Sequence, residues 1–297
     1  MENMQAFVLD VFCSKDASGN PAAVCVLTTW PEDAVLQAFA ATQPAPVTVF
    51  VRLPVAETTP QPIPVRWFAG PQEINLCGHG SLAAAAVVLA QRPAWPEVKL
   101  TSRFGDLSIR RSALHFSPLA AGQLCYAMCL PAWHAQRPAG LTQLTDRLNL
   151  PAQGLVMTDC FATRDLVLVL ETAAQVQAFV PDFALLRQLQ PYHATMLTAP
   201  LYATDGTTAV GYVLRYFAPN IGINEDLATG SAQCSLAPYW LQRLCATRLQ
   251  VQQLSAGGGY FLVQAQSQDQ ICLHAAVGGH RSGPSLPLVS YAAGPIC

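Results

Sequence analysis

The sequence predicts an α+β protein of two pseudo-symmetric halves, each a central buried helix wrapped by a curved, mainly antiparallel sheet. Three observations predict it. One strand-loop-helix segment is written twice along the chain. The helix in its first copy is apolar on every face. The other strand candidates are short and separated by closely spaced turns, as in a curved sheet.

The repeat is explicit in the residues. Arg66-Trp67-Phe68-Ala69, then Ile74-Asn75, then Cys77-Gly78-His79-Gly80-Ser81 precede an apolar helix. Arg215-Tyr216-Phe217-Ala218, then Ile223-Asn224, then Thr229-Gly230-Ser231 precede a second one. The spacing from the Arg to the Ile-Asn pair is the same in both, and the Gly-Ser pair falls one residue later in the second copy. A duplicated architecture gives this directly. Both helices open on small residues. The first amides of a helix lack internal partners and carry the positive end of its dipole, so an anion can approach them.

Composition narrows the function classes. The chain has 297 residues, 16 Lys and Arg, 18 Asp and Glu, and a formal net charge of -2. That length holds one large domain or two ordinary ones. Low charge and high apolar content exclude disorder. No basic cluster stands out, which argues against nucleic acid and anionic membranes as partners. The longest apolar run, Leu82 to Ala90, is far shorter than the ~20 residues of a membrane span. The N-terminus, with Glu2 and Asp10 around a short alternating strand, lacks the basic flank and apolar block of a signal peptide. A cytoplasmic location is expected. Ten cysteines are scattered with no Cys-x-x-Cys, so they read as small buried hydrophobes, with Cys77 set apart by its place before a helix.

In chain order, Gln5–Phe12 and Ala22–Leu27 alternate as strands around a turn at Ser18-Gly19-Asn20-Pro21. Gly19 and Asn20 serve there either as turn chemistry or as a backbone surface for a ligand. Thr29-Trp30-Pro31-Glu32 reads as a capping box opening a helix to Ala41. Val47–Leu53 and Val65–Phe68 are strands leading into the first repeat helix, Ser81 to Gln91. A helix apolar all round is buried all round. Strands follow at 98–102, 107–110, 114–116 and 124–131. Trp133–Ala139 reads as a crossing, and 141–148 as a short helix. Strands at 160–162 and 166–170, helices at 172–179 and 182–189, and strands at 195–198 and 210–217 lead into the second repeat helix. Strands at 249–254, 260–264 and 271–275, a tight turn at Gly257-Gly258-Gly259, a second crossing at Gly278-Gly279 and a last strand at 288–291 complete the chain. The expected division is residues 1–131, joined by the C-terminal strand 282–297, and residues 132–281, with the two helix N-termini facing one another across a cleft.

At these residues the chain resembles the phenazine-biosynthesis PhzF-like family, within the diaminopimelate epimerase-like fold. The resemblance is carried by Asp10-Val11-Phe12, Gly19 to Val24, Arg66-Trp67-Phe68, Leu76-Cys77-Gly78-His79, Arg215 to Pro219, Gly222-Ile223, Glu225-Asp226, Thr229 to Ala232 and Gly257 to Gly259. It implies cofactor-independent proton transfer, as isomerisation or epimerisation, on a small carboxylate or amino-acid-like substrate. It implies no metal and no organic cofactor. It matches His79 and Asp226 to the family's catalytic residues. It implies a site in the cleft between the halves and places substrate against the two helix starts, at Gly78, Gly80 and Ser81 and at Thr229, Gly230 and Ser231, with Gly19 and Asn20 beside them. One departure stands out. The family's Ser-Glu-Thr-Ala-Phe-Val run, whose Glu is the acid/base, corresponds to Pro46-Val47-Thr48-Val49-Phe50-Val51 here, which puts Val47 at the Glu position. Gln43 is the nearest polar side chain in sequence.

Moving a proton beside a carboxylate needs a base poised near working pH and a home for developing charge. The base then comes from Cys77, His79 or Asp226. A helix N-terminus lowers a thiol pKa, which favours Cys77. The bland readings are a packed small residue for Cys77, a hydrogen-bonded imidazole for His79 and a dipole-stabilising carboxylate for Asp226. The remaining histidines, His115, His134, His193, His274 and His280, show no metal spacing and read as structural or surface groups. Three functions stay open: an isomerase using these groups, a binding protein that kept the pocket and lost the chemistry at Val47, and a lyase or dehydratase on a related intermediate. An apolar exposed strand could pair two subunits into a homodimer.

Overall fold

The computed structural model describes residues 3–53, 59–114, 123–138, 147–282 and 286–287. Its strands are β1 Asn3–Val11, β2 Asn20–Leu27, β3 Val47–Arg52, β4 Ile63–Ala69, β5 Gln72–Ile74, β6 Glu97–Ser102, β7 Gly105–Arg111, β8 Leu124–Pro131, β9 Met157–Ala162, β10 Leu166–Leu170, β11 Thr195–Tyr202, β12 Ala209–Phe217, β13 Arg248–Gln253, β14 Gly259–Ala265, β15 Gln270–Ser282 and β16 Leu286–Pro287. The α-helices are α1 Asp33–Thr42, α2 Gly78–Gln91, α3 Ala173–Ala178, α4 Phe183–Leu186 and α5 Gln233–Arg243.

All the strands belong to one hydrogen-bonded sheet that curls twice. In the first curl, β1, β2, β3, β4, β6, β7, β8 and β15 follow one another, and β15 returns to pair with β1. The ring closes around α2. The residues Leu82 to Leu89 are buried on all sides of that helix, as their uniform apolarity requires. In the second curl, β15, β14, β13, β12, β11, β10 and β9 wrap α5. The parallel contacts repeat in both halves: β2 with β3 and β4 with β6, then β10 with β11 and β12 with β13. All other neighbours are antiparallel, so the expected fold class holds.

One strand joins the halves. β15 pairs with β8 from Gln270 to Val277. On its other edge it pairs first with β14, then with β1. The crossing expected at Gly278-Gly279 is therefore inside a strand, where the register shifts between Val8 and Asp10 and Gly279 takes a φ of +67°. The strands expected at 114–116 and 288–291 and the helix at 141–148 fall largely outside the described residues, as does most of the segment 282–297.

Local differences have local causes. α1 starts at Asp33 with no side-chain cap, so Thr29 to Glu32 is a lead-in and not a capping box. α3 and α4 are capped by Thr172 and Asp182, but the second spans only Phe183–Leu186. α5 carries Pro238 inside it. Proline has no N–H to give to the carbonyl four residues back. That carbonyl, on Cys234, instead accepts from the Trp133 backbone N–H at 2.7 Å, which fixes the segment after β8 onto the helix. Among the described residues, no helix is long and apolar enough to cross a membrane.

Candidate active site

Both repeats place their helix starts at the same end of their own curl. β4 and β12 each carry an arginine that forks onto a glutamate further along the chain, Glu73 in β5 and Glu225 in the loop after β12. Arg66 bonds Glu73 at 2.9 and 2.7 Å, and Arg215 bonds Glu225 at 2.7 and 2.9 Å. These forks pin the loops that lead to α2 and α5. The repeat seen in sequence is thus a repeat of loop-anchoring chemistry.

The first half then reaches into the second. The turn after β1 runs through residues 12–19 and depends on Gly19, whose φ is +79° and whose added Cβ would lie 2.3 Å from the Val11 carbonyl. Ser18 N donates to the Gly257 carbonyl, and Tyr260 N to the Phe12 carbonyl. Asn20 donates from Nδ2 to Asp226 Oδ1 and to the Ala228 carbonyl, each at 3.0 Å. The next residue, Pro21, offers its carbonyl to the His79 ring. Two adjacent residues of β2 therefore hold Asp226 from one half and His79 from the other.

Asp226 is well supported. Thr229 Oγ1 donates to its Oδ2 at 2.6 Å, and its own N–H bonds the Tyr216 carbonyl. Gln253, which precedes the glycine turn, ties the loop by donating to the Asp226 carbonyl at 2.8 Å and accepting from Thr229 N at 2.8 Å. Burial raises the Asp226 pKa above the usual carboxylate value, and the hydrogen bonds from Thr229, Asn20 and Leu227 only partly offset it. Burial lowers the His79 pKa to about 4. Both side chains keep part of their surface open, so water acts against these shifts.

Cys77 behaves differently from the expectation for a thiol beside a helix start. It is the N-cap of α2, and its Sγ accepts the Gly80 N–H at 3.3 Å and also the His79 N–H. Burial outweighs those bonds and pushes the thiol up to about 12, with the Asp226 charge adding to the rise. Its Sγ lies 3.3 Å from His79 Nδ1, so the two side chains form one unit whose proton placement follows the imidazole tautomer.

The two helix starts are consequently unequal. At α2 the amides of His79 and Gly80 are spent on Cys77, and Ser81 is buried, with its hydroxyl between the Cys77 carbonyl and Trp67 Nε1. Gly78 stays partly open. Ahead of α5, the amides of Gly230, Ser231 and Ala232 have no partner among the described residues. Thr229 and Gly230 are buried there and Ser231 is half-buried. Val47 is buried at 7 % exposure beside the first start: a Cβ on Gly80 would lie 3.4 Å from its Cγ1 and 2.6 Å from Val49 Cγ2. Gln43 does not reach the site; its amide donates to the Phe39 carbonyl and to Thr42 at the end of α1.

Gln253 and Leu227 were not singled out by the sequence, and Pro21 was named only as part of a turn and of the Gly19 to Val24 stretch. Gln253 had a signal in its position just ahead of the glycine turn; Leu227 had none. His274 is buried and bonds Ser112 at 2.8 Å, His134 lies 3.5 Å from Asp269, and His115 is outside the described residues. No metal-binding group of His, Cys, Asp and Glu occurs among the described residues. Two cavities of about 560 Å³ lie elsewhere, one beside Met157, Asp159 and Tyr239 and one beside Trp30, Arg66 and Arg103. Neither cavity is lined by Asp226 or His79.

Two curled half-sheets, each around a helix and joined by β15, are the architecture of the epimerase-like class of fold. The chain belongs to the phenazine biosynthesis-like protein family, PhzC-PhzF, which it matches over residues 9–260. It is 40 % identical over 268 residues to an uncharacterized isomerase of Vibrio cholerae, covering 90 % of this chain and 86 % of the relative. A crystal structure of a PhzF-family protein from Enterococcus faecalis superposes with a TM-score of 0.78 at 28 % identity, over 95 % of this chain and 100 % of that one. A predicted epimerase from Pseudomonas aeruginosa shares the fold, with a TM-score of 0.67 at 20 % identity over 95 % of this chain and 99 % of that one.

Proposed function

We propose that this protein is a cofactor-independent isomerase that moves a proton on a small carboxylate. The observation that carries the reading is that the adjacent residues Asn20 and Pro21 bond Asp226 and His79 respectively. Asp226 is the proton carrier. As a carboxylate it takes the proton from the carbon beside the substrate carboxylate, and as a carboxylic acid it returns that proton at a second carbon. A raised pKa suits both steps, because the acid form is then neither too strong nor too weak to exchange. Charge that develops on the substrate carboxylate is met by the free amides of Gly230, Ser231 and Ala232 and the dipole of α5. His79, neutral at working pH, and the protonated Cys77 form the facing wall.

The family name and the relatives called isomerases support this reading. Its test is proton exchange in heavy water, followed by NMR, on a panel of amino acids, hydroxyprolines and cyclic dihydro-carboxylates. Exchange in the wild type that is lost in Asp226→Asn upholds it. Exchange that persists in Asp226→Asn sinks the assignment of the carrier. Val47 favours a second reading, a binding protein without turnover: ligand-induced thermal stabilisation with no exchange on that ligand, and exchange restored by Val47→Glu, would establish it.

A further inference from the structure

Arg164 stands at the tip of the β9–β10 turn, and the repeat explains its position. In the first half Val8 pairs with Ala23 on one side and Arg281 on the other. In the second half Ala162 pairs with Leu166 on one side and Gln136 on the other. From that matched point the hairpins diverge. The first continues to the Val11–Asn20 pair and turns through residues 12–19, far enough to bridge onto Asp226, Ala228 and Gly257. The second turns at once through residues 163–165. Its Thr163 hydroxyl meets Ser235 of α5 at 2.7 Å, within its own half. The long hairpin therefore closes one flank of the inter-half site. The flank related to it by the pseudo-two-fold carries only the short turn, with Arg164 on it.

Register puts this turn at the Asp226 end of the second half. Leu166 pairs with Thr195, and Thr195 with Phe217, where the loop to Asp226 begins. Arg164 is held stiffly there. Its Nε and Nη2 fork onto Asp165 at 3.2 and 3.1 Å, and Nη2 also reaches Tyr216 Oη at 3.3 Å. Its guanidinium lies 4.9 Å over the Trp133 ring. The Asp165 side chain is fully buried, yet that of Arg164 is 39 % exposed. A carboxylate taken out of water to orient a half-open guanidinium is costly unless the fork is needed in place.

The two arginines of the repeat, by contrast, are fully engaged. Arg66 gives Nε and Nη2 to Glu73 and Nη1 to Asp33. Arg215 gives Nε and Nη2 to Glu225 and Nη1 to the Phe179 carbonyl at 2.7 Å. Arg164 Nη1 has no partner among the described residues.

We propose that Arg164 is an anion anchor of this site and that the ligand is a small acid with two anionic groups, one at the Gly230–Ala232 amides and one at Arg164 Nη1. The proposal rests on the isomerase reading only in calling that ligand a substrate. The test uses the full chain and a series of unbranched α-amino dicarboxylic acids of increasing length, each beside its side-chain amide, which has the same size and one charge fewer. Affinity is read by calorimetry and turnover by proton exchange in heavy water. The wild type is expected to bind its best dicarboxylate more tightly than the matching amide by about tenfold or more. Arg164→Gln should erase that ratio. Arg164→Lys, which keeps a positive charge on buried Asp165 and so guards against misfolding, should lower it. A wild-type ratio near one, a ratio unchanged in both variants, or no dicarboxylate binding would overturn the anchor. Dicarboxylate binding that needs Arg164 but gives no exchange upholds the anchor and removes the isomerase reading. Exchange on monocarboxylates alone does the reverse.

Discussion

At the residue scale, the division of labour among Asp226, His79 and Cys77 is set by burial. Asp226→Asn keeps the size and most hydrogen bonds of the side chain but removes the proton carrier, so exchange should fall roughly 10²–10⁴-fold. Cys77→Ser should stay within about tenfold of wild type, since a thiol pushed up to about 12 supplies no base near neutrality. Single-turnover exchange rates of the two variants check both statements. The pH profile follows from the same shifts. Turnover needs Asp226 ionised and His79 neutral, so kcat/KM should climb with pH as both groups lose their protons, without an alkaline limb from either group. Stability carries a related signature. His79 and His274 both have folded pKa values lowered to about 4 by burial, below the 6.5 of a free imidazole. Between those values the unfolded chain binds more protons, so their contribution is complete above pH 6.5 and is lost as pH falls towards 4. Asp226, with its folded pKa raised, works weakly in the opposite direction. Thermal melts at neutral and mildly acidic pH should therefore show a lower Tm in acid, and a Tm independent of pH across that window would contradict the histidine assignments.

At the element scale, the twin arginine forks look alike in sequence but differ in energy. The Arg215 and Glu225 side chains are 11 % and 23 % exposed, and Arg215 also holds carbonyls at the end of α3. Removing it leaves Glu225 and those carbonyls without their donor. Arg215→Met should cost about 3–5 kcal/mol in urea unfolding, the range for breaking a buried pair. Arg66 shares its charge with Asp33, which is 68 % exposed. Arg66 and Glu73 are 23 % and 20 % exposed, and Arg66 holds no backbone carbonyl among the described residues, so Arg66→Met should cost less, about 1–3 kcal/mol. Equal losses for the two would show that the carbonyls held by Arg215 add nothing to its fork. Elements also explain which helix start can hold an anion. α2 begins on a cysteine that satisfies its own first amides, whereas α5 begins after a glycine and small residues that satisfy none of theirs.

For the whole molecule, the chain of β15 through both curls matters most. A strand that hydrogen-bonds to β8, β14 and β1 cannot be lost from one half without opening the other. Heat or denaturant should unfold the two halves in one transition, seen as coincident curves for tryptophan fluorescence and far-ultraviolet circular dichroism. Two separated transitions would mean that β15 couples them weakly.

The sequence by itself determined the duplication, the buried helix and the residues around which a site would form. These are written in local spacing: the Arg to Ile-Asn interval, the unbroken apolar run Leu82 to Leu89, and glycines beside small polar residues. Periodicity and turn chemistry act over a few residues, so they are readable without knowing the partners. What only the tertiary structure decided lies at long range. The joining of Asp226 to Asn20 across 206 residues, the spending of the α2 amides on Cys77, and the release of the Cys234 carbonyl by Pro238 to Trp133 depend on which surfaces meet. So does the sign of the Cys77 shift: the helix dipole favours a thiolate, and desolvation, which no local pattern reports, outweighs it.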